Sequence, residues 1–354
     1  MLIYVCNSAH GFGHGSRTAA VLAELASLKP NWRLVISTML PAWFLALAYG
    51  SVRFERRECR WDVGVIQVNA LGVDPNATLR ALDNLEADLP ALLDQEAAWI
   101  KAQGEPVLVL GDVPPAAALL AARVKAPLVW LANFGWDAIY KPMGGPFLTW
   151  SQRVLDLYRC GDLLIHCPLS LPMDWGLPTL HVGVTSSRPR LNLNDLSQRL
   201  NLPQQREQLV LISFGGLGMA LDASLLERWP EHIFVAPDPR IVTMPNGRLL
   251  PPGVRPLDLM PLASRLITKP GYSSFCEALS QSVGIHLVER EGFAEAAVLR
   301  GDLQRHGHHR LLSKAQFLGG DWELNQPLLP PRQVPLRLDG AEVAANALIG
   351  KAEK

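Results

Sequence analysis

One pattern limits what this chain can become. A short apolar run ends at glycine or proline, a helical stretch follows, and the unit repeats; after a polar interval the whole series starts again. Leu2–Cys6 is the first such run. Leu34–Ser37, Val107–Leu110, Pro127–Leu131 and Leu163–Cys167 follow it, with helical spacing of apolar residues between them. Val63–Val68 is a further candidate strand. Runs like Val107–Leu110, apolar at every position, suit strands covered on both faces, and the alternation argues open parallel sheets flanked by helices. From Gly183 to Gln208 the sequence turns polar, and Leu209–Phe214, His232–Ala236, Leu266–Thr268 and Ile285–Val288 resume the series. The expectation is an α/β protein of two tandem Rossmann-like domains facing across a cleft: residues 1–187, residues 188–340, and a last helix at 341–354 that returns to the first domain. Thr78–Gln103 reads as a helix broken or kinked at Pro90.

Composition narrows the function. The chain has 354 residues, 49% hydrophobic, with 33 basic residues balancing 33 acidic ones. Zero net charge argues against a nucleic-acid binder. Cys6, Cys59, Cys160, Cys167 and Cys276 form no CxxC pair, which fits a reducing compartment. The N-terminus lacks a basic, cleavable leader, so a cytoplasmic location is expected. Leu34–Val52 carries no charge, but Ser37, Thr38, Pro41 and Gly50 read as strand, turn and helix rather than a membrane span. A peripheral membrane contact through Trp43, Phe44 and Leu47 stays open.

Three strand ends gather chemistry-bearing residues. His10–Ser16 reads as a Gly-rich turn with glycines at 11, 13 and 15, without the GxGxxG spacing of a dinucleotide site. His10 and His14 within it are candidate general bases; surface histidines in a tight turn are the alternative. Asp112 closes an apolar strand, either to orient a histidine, to act as base itself, or to cap the next helix. Asn133, Trp136, Asp137 and Tyr140 read as a polar-aromatic loop for a hydroxylated acceptor, or as packed aromatics.

The second half offers Gly215, Gly216 and Gly218 after a strand, and then Thr268–Leu279. There Pro270 and Gly271 turn the chain, Ser273 or Ser274 is the expected N-cap, and Glu277 falls in the first helical turn. A helix start of this kind presents free N–H groups and positive dipole to a phosphate, with Glu277 accepting from hydroxyls beyond it. An ordinary strand–turn–helix is the alternative. Glu289, Arg290, Glu291 and Glu295 cluster after the last apolar run. His306, His308 and His309 lack accompanying carboxylates or thiols at metal-ligand spacing, and no DxD pair ends a strand, so no metal is expected.

These segments carry a resemblance. Gly-Gly-Leu-Gly at 215–218 and Thr-Lys-Pro-Gly-Tyr-Ser-Ser-Phe-Cys-Glu-Ala-Leu at 268–279 resemble the GT-B glycosyltransferases, notably the group of the lipid II N-acetylglucosaminyltransferase and monogalactosyldiacylglycerol synthase. Ser-Ala-His-Gly-Phe-Gly-His-Gly-Ser-Arg at 8–17, Gly-Asp-Val-Pro-Pro at 111–115 and Asn-Phe-Gly-Trp-Asp at 133–137 look still more like the glycosyltransferase-like half of plant L-arabinokinase. The resemblance implies a metal-independent, inverting transferase that moves a sugar from a UDP-sugar to a hydroxyl acceptor. It implies a donor site of Gly215, Gly216, Gly218, Lys269, Gly271, Ser273, Ser274, Glu277, Arg290 and Glu295. Gly11, Gly13, Asn133, Trp136, Asp137 and Tyr140 would meet the acceptor, with His14, Asp112 or His10 as base. The Pro-x-x-x-Gly-Leu-Ser-Ser-Ser loop of the sugar-kinase half is absent, and Ala294-Glu295 stands where lipid II enzymes carry a glutamine. A UDP-sugar 2-epimerase and a non-catalytic nucleotide-sugar-binding regulator are the other readings.

Overall fold

The structure, a computed structural model, describes residues 1–66, 73–215, 221–289 and 294–354. The chain divides into two compact units, Met1–Thr185 with Arg337–Lys354, and Ser186–Leu336.

The first unit runs β1 (Leu2–Asn7), α1 (Phe12–Leu28), β2 (Arg33–Ser37), α2 (Ala42–Tyr49), β3 (Glu55–Arg57) and α3 (Pro75–Ala102). It continues with β4 (Val107–Asp112), α4 (Ala116–Val124), β5 (Leu128–Ala132), α5 (Trp136–Tyr140), α6 (Phe147–Tyr158), β6 (Leu163–His166) and β7 (Thr179–His181). The strands form one seven-stranded sheet in the order β3-β2-β1-β4-β5-β6-β7, and each neighbouring pair is parallel. Every residue of β1 and β5 is buried, as strands covered on both faces require. Residues 63–66 of the expected strand carry no regular structure, and residues 67 and 68 lie outside the described residues. α3 is not broken at Pro90. That proline is exposed, so the backbone carbonyl it leaves without a partner can face water. Among the described residues no helix is long and apolar enough to cross a membrane. Trp43 is 61% exposed, but Phe44, read as its companion at a bilayer, is buried and stacks on Phe12.

The second unit runs α7 (Leu193–Leu200), β8 (Leu209–Ile212), β9 (Ile233–Ala236), β10 (Gly247–Leu249), α8 (Pro256–Leu259) and β11 (Arg265–Thr268). Then come α9 (Tyr272–Ser280), β12 (Gly284–Val288), α10 (Ala294–His306), β13 (His309–Leu312) and α11 (Lys314–Leu318). Its six strands are ordered β10-β9-β8-β11-β12-β13, again all parallel. Phe234, Phe317 and Trp322 anchor its core.

Both sheets share one topological property. The chain builds outward from the first strand on one side, then crosses back to build on the other. In unit one this reversal lies between β1 and β4, in unit two between β8 and β11. In open sheets the carboxyl ends of the strands at such a reversal leave room for a ligand. Asn7 and Asp112 are register partners at the first reversal, and Ile212 and Ile267 pair at the second.

The last helix, α12 (Gly340–Ala352), closes the first unit against α1. Ala341, Ala344, Ala345 and Leu348 bury its inner face, and Lys29 pairs with Glu353 at 2.5 Å. The segment leaving the first unit and the segment returning to it lie against each other. Val184 N–H donates to Arg337 O at 2.7 Å, and Gly340 N–H donates to Val184 O at 3.2 Å. A Cβ on Gly340 would stand 2.0 Å from Gly183 O, and one on Gly183 would stand 2.4 Å from Arg337 O. Backbone cannot yield as a flexible side chain can, so glycine is needed at both positions. Gly350, on the same helix, has nothing within 4 Å of an added Cβ. Gly340→Ala should therefore lower stability by roughly 1–3 kcal/mol through overpacking. Gly350→Ala should raise it by about 0.5–1 kcal/mol through helix propensity. Thermal melts of the two variants should move in opposite directions.

Candidate functional site

At the reversal of the first sheet, β1 ends at Asn7 and the chain turns through Ser8–Gly11. The Ser8 hydroxyl accepts from His10 N–H at 3.2 Å, and Gly11, at φ 106°, redirects the backbone into α1. An L side chain would be strained there. The Gly-rich turn is thus shorter than the sequence suggested: Gly13, His14, Gly15 and Ser16 already lie in the helix. Gly15 lets α1 approach α2, since a Cβ there would meet Phe44 and Leu40 at 2.6 and 2.7 Å.

His14 is the third residue of α1, on the turn that faces the end of β4. Its Nδ1 lies 2.9 Å from Asp112 Oδ1. Asp112 is fully buried and is the hub of a polar network. Arg17 donates to both of its oxygens, and Thr18 Oγ1 donates to Oδ2 at 2.5 Å. Arg17 NH1 reaches Asn133 Oδ1 at 2.6 Å, and Asn7 Nδ2 donates to Thr18 Oγ1 at 2.8 Å. Burial pushes the Asp112 carboxyl up, but the Arg17 guanidinium and the His14 hydrogen bond together hold it below the usual carboxylate range. Arg17 NH2 also stands 3.3 Å from His14 Nδ1, but the nearer Asp112 oxygen, when ionised, is an acceptor only, which assigns the proton to Nδ1. Its Nε2 then has a free lone pair and makes no hydrogen bond among the described residues. The side chain keeps 9% of its surface exposed.

Asp112 is therefore not the helix cap that was one sequence alternative: α4 is capped at Pro115 without a side chain. His10 packs edge-on to Trp136, with ring centroids 5.1 Å apart. The residues read as an acceptor-facing loop are corrected by the structure. Trp136–Tyr140 is a short helix, and Asn133, Trp136 and Tyr140 are buried. Asn133 serves Arg17; Trp136 and Tyr140 stack on each other with centroids 5.8 Å apart. They back the site and offer no open aromatic face. Asp137 is partly exposed, and burial pushes its carboxyl up.

At the reversal of the second sheet, β11 ends at Thr268 and α9 begins at Tyr272. The N-cap is Gly271, not Ser273 or Ser274, and no side chain caps the helix. Ser is a good cap, but here both serines already have helical positions, second and third in α9. Glu277 consequently lies in the second turn, not the first. α9 has no side-chain cap and no acidic residue in its first turn, so nothing of that kind competes for its start. A Cβ on Gly271 would have no atom closer than 3.8 Å, so the cap position itself is uncrowded.

Glu277 is partly exposed. Burial pushes its carboxyl up to about 7, with Arg255 pulling it down and Asp258 pushing it up. Arg255 and Asp258 form a buried pair at the start of α8, at 2.6 Å, and Asp258 also accepts from Arg190 N–H at 2.9 Å. Gly215, at φ 69°, is exposed at the end of β8. Gly216, Gly218 and Arg290 lie outside the described residues. Glu295 is in the first turn of α10, and Glu289 pairs with Arg300 at 3.0 Å. Among the described residues no group of three or more His, Cys, Asp or Glu side chains could hold a metal. The five cysteines, all described, form no disulfide.

Sequence reasoning missed Arg17, Thr18 and Asn7. A lone arginine in an apolar helix reads as a surface residue. The one available signal was its spacing: Arg17 lies three residues after His14, on the same helix face.

No protein-family model matches the chain. It is 27% identical over 358 residues to L-arabinokinase of Arabidopsis thaliana, covering 96% of this chain and 33% of that one, so it spans about a third of the length of this curated relative. Among solved structures it is similar to the UDP-glucose: anthocyanidin 3-O-glucosyltransferase in complex with UDP, with TM-score 0.64, 12% identity, and coverage of 99% of this chain and 94% of that one. A Polygonum tinctorium UDP-glucosyltransferase capable of glucosylating indoxyl matches at TM-score 0.62, 14% identity, and 99% and 93% coverage. The calicheamicin glycosyltransferase matches at TM-score 0.59, 17% identity, and 99% and 94% coverage. The chain has the GT-B fold. Within that GT-B framework the first sheet carries the His14–Asp112 pair and the second carries the uncapped start of α9.

Asp112→Asn should leave the Arg17 guanidinium buried without its counter-charge. The expected loss at pH 7 is about 3–5 kcal/mol. The folded carboxyl lies below its unfolded value of about 3.9, so its stabilisation is complete above that pH and is lost as pH falls through the lower folded value. The stability gap between wild type and variant, read by denaturant unfolding, should therefore narrow in acid.

Proposed function

We propose that this protein is a metal-independent, inverting glycosyltransferase that uses a UDP-sugar donor and a hydroxyl acceptor. The observation that carries the reading is the His14–Asp112 pair: a base at a sheet reversal, fixed in one tautomer, with Nε2 unengaged. The second unit supplies what a departing diphosphate needs, an open and uncapped helix start, with Glu277 one turn further on to accept from ribose hydroxyls. The GT-B neighbours named for UDP-glucose or solved with UDP support the same donor class.

His14 Nε2 takes the proton from the acceptor hydroxyl as its oxygen forms a bond to the anomeric carbon. The bond between that carbon and the β-phosphate oxygen breaks, and UDP carries away the electron pair. Attack opposite the leaving group inverts the anomeric centre. Asp112 stabilises the resulting imidazolium and keeps the ring in register. The charge that develops on the diphosphate meets the N–H groups of Tyr272, Ser273 and Ser274, a task a helix N-terminus performs without a cation. Lys269, Gly215, Gly216, Gly218, Arg290 and Glu295 complete the donor set in this reading, and Gly11 and Gly13 leave room for the acceptor.

The test is UDP release from UDP-sugars, first without acceptor and then with candidate acceptors, alongside UDP binding. His14→Ala should lower turnover by about 10²–10⁴ with little change in UDP affinity. Glu277→Ala should weaken UDP binding by about tenfold or more without a matching loss of stability. EDTA should leave turnover intact. Unchanged UDP affinity in the Glu277 variant, or full loss of activity in EDTA, contradicts the assignment.

A further inference from the structure

Asp62 lies on the irregular stretch after β3, and no feature of the sequence marks it. Its surroundings are nevertheless built. Trp61 anchors one side, its Nε1 donating to Ser37 Oγ at 2.8 Å. Tyr140 Oη donates to Gly64 O at 3.0 Å on the other. Gly64 is required there: its φ is +69°, and a Cβ would stand 2.2 Å from the His10 ring. Between these anchors Trp136 Nε1 donates to Asp62 Oδ2 at 2.9 Å.

The same wall carries the base. Trp136 is 5.1 Å from Phe134 between ring centroids, and Phe134 is 5.6 Å from His14. Asp62 is partly exposed, and no Lys or Arg pairs with it among the described residues. Burial pushes its carboxyl up, while the Ser8 hydroxyl, Trp136 and the nearby His14 pull it back. An enclosed carboxylate without a counter-ion is costly, and the fold does not need the charge, since an amide oxygen would accept from Trp136 as well. An ionised carboxylate offers about four acceptor positions, and the Trp136 indole takes one, so others remain for a ligand.

We propose that Asp62 accepts a hydrogen bond from a second hydroxyl of the acceptor, beside the hydroxyl that His14 deprotonates. The acceptor class is therefore a sugar or polyol with adjacent hydroxyls, not a lone phenol or simple alcohol. This rests on the transferase reading above. Asp62 holds the acceptor; no bond to it forms or breaks.

The test measures binding to the full chain by saturation-transfer NMR, with D-glucose, D-galactose and L-arabinose as probes and cyclohexanol as the one-hydroxyl counterpart. At least one pyranose should bind wild type more tightly than cyclohexanol does. Asp62→Asn, which keeps an acceptor for Trp136, should weaken that pyranose by about tenfold or more and leave cyclohexanol unchanged. Should Asp62→Asn fail to fold, monodeoxy derivatives of the bound pyranose on wild type read the same contact, with one ring position costing about tenfold. Equal pyranose binding by wild type and Asp62→Asn overturns the inference, as does a pyranose panel that binds no better than cyclohexanol, or deoxy derivatives that all bind alike. UDP titration on the same proteins separates the two levels. If UDP binds and Asp62 is silent, only this inference falls; if wild type does not bind UDP, the transferase reading falls.

Discussion

The first unit depends on one ion pair that water does not reach. Asp112 has no exposed surface, and Arg17 has 1%. Alone, either charge would be expelled or neutralised by burial. Together they stay ionised, and only an ionised Asp112 can hold His14 by Nδ1. Arg17 is also the cross-brace between elements: it ties the second turn of α1 to the end of β4, and through Asn133 to the end of β5. The orientation of one imidazole thus follows from a network of five side chains on three strands and a helix. Both Asp112 oxygens are satisfied within it, while Asn7 Oδ1 is left buried without a partner.

The second unit meets a similar topological opportunity by the opposite means. At the β8–β11 reversal stands a helix start whose cap residue, Gly271, brings no side chain. A serine side chain turned onto its first N–H groups would satisfy them and compete with an anion. Gly271 at the cap and the serines one and two positions inside the helix avoid that. The two reversals therefore differ in chemistry: one carries a carboxylate–imidazole pair, the other a helix start without a side-chain cap.

What the sequence revealed, and what it hid, follows from where each residue sits. The interior strands β1, β4, β5, β8 and β12 are mostly apolar, because both faces are covered, and they were legible. The strands that went unread, β3, β7, β10 and β13, are the four sheet edges. β3 is Glu-Arg-Arg and β7 is Thr-Leu-His, short and polar as edges are when they must not recruit another chain. In the site, Asp112 was visible because it closes an apolar run, and His14 because it stands among glycines after one. For Trp136 and Tyr140 the sequence left two readings, because aromatics beside polar groups look the same whether they line a cavity or seal it; the structure buries both. Asp62 left no trace: its partners come from positions 8 and 136, and no local pattern encodes such separations.

The Gly183–Gly340 crossing bears on how the protein is made. Unit two is contiguous, Ser186–Leu336, and the ribosome delivers it whole. Unit one is not; the helix that covers α1 arrives last, after every residue of unit two has been synthesised. The nascent first sheet must therefore wait with one flank of α1 uncovered, while the later-born unit is free to fold first. Completing the first unit therefore requires the last-made helix, whereas the second unit needs no residue beyond Leu336.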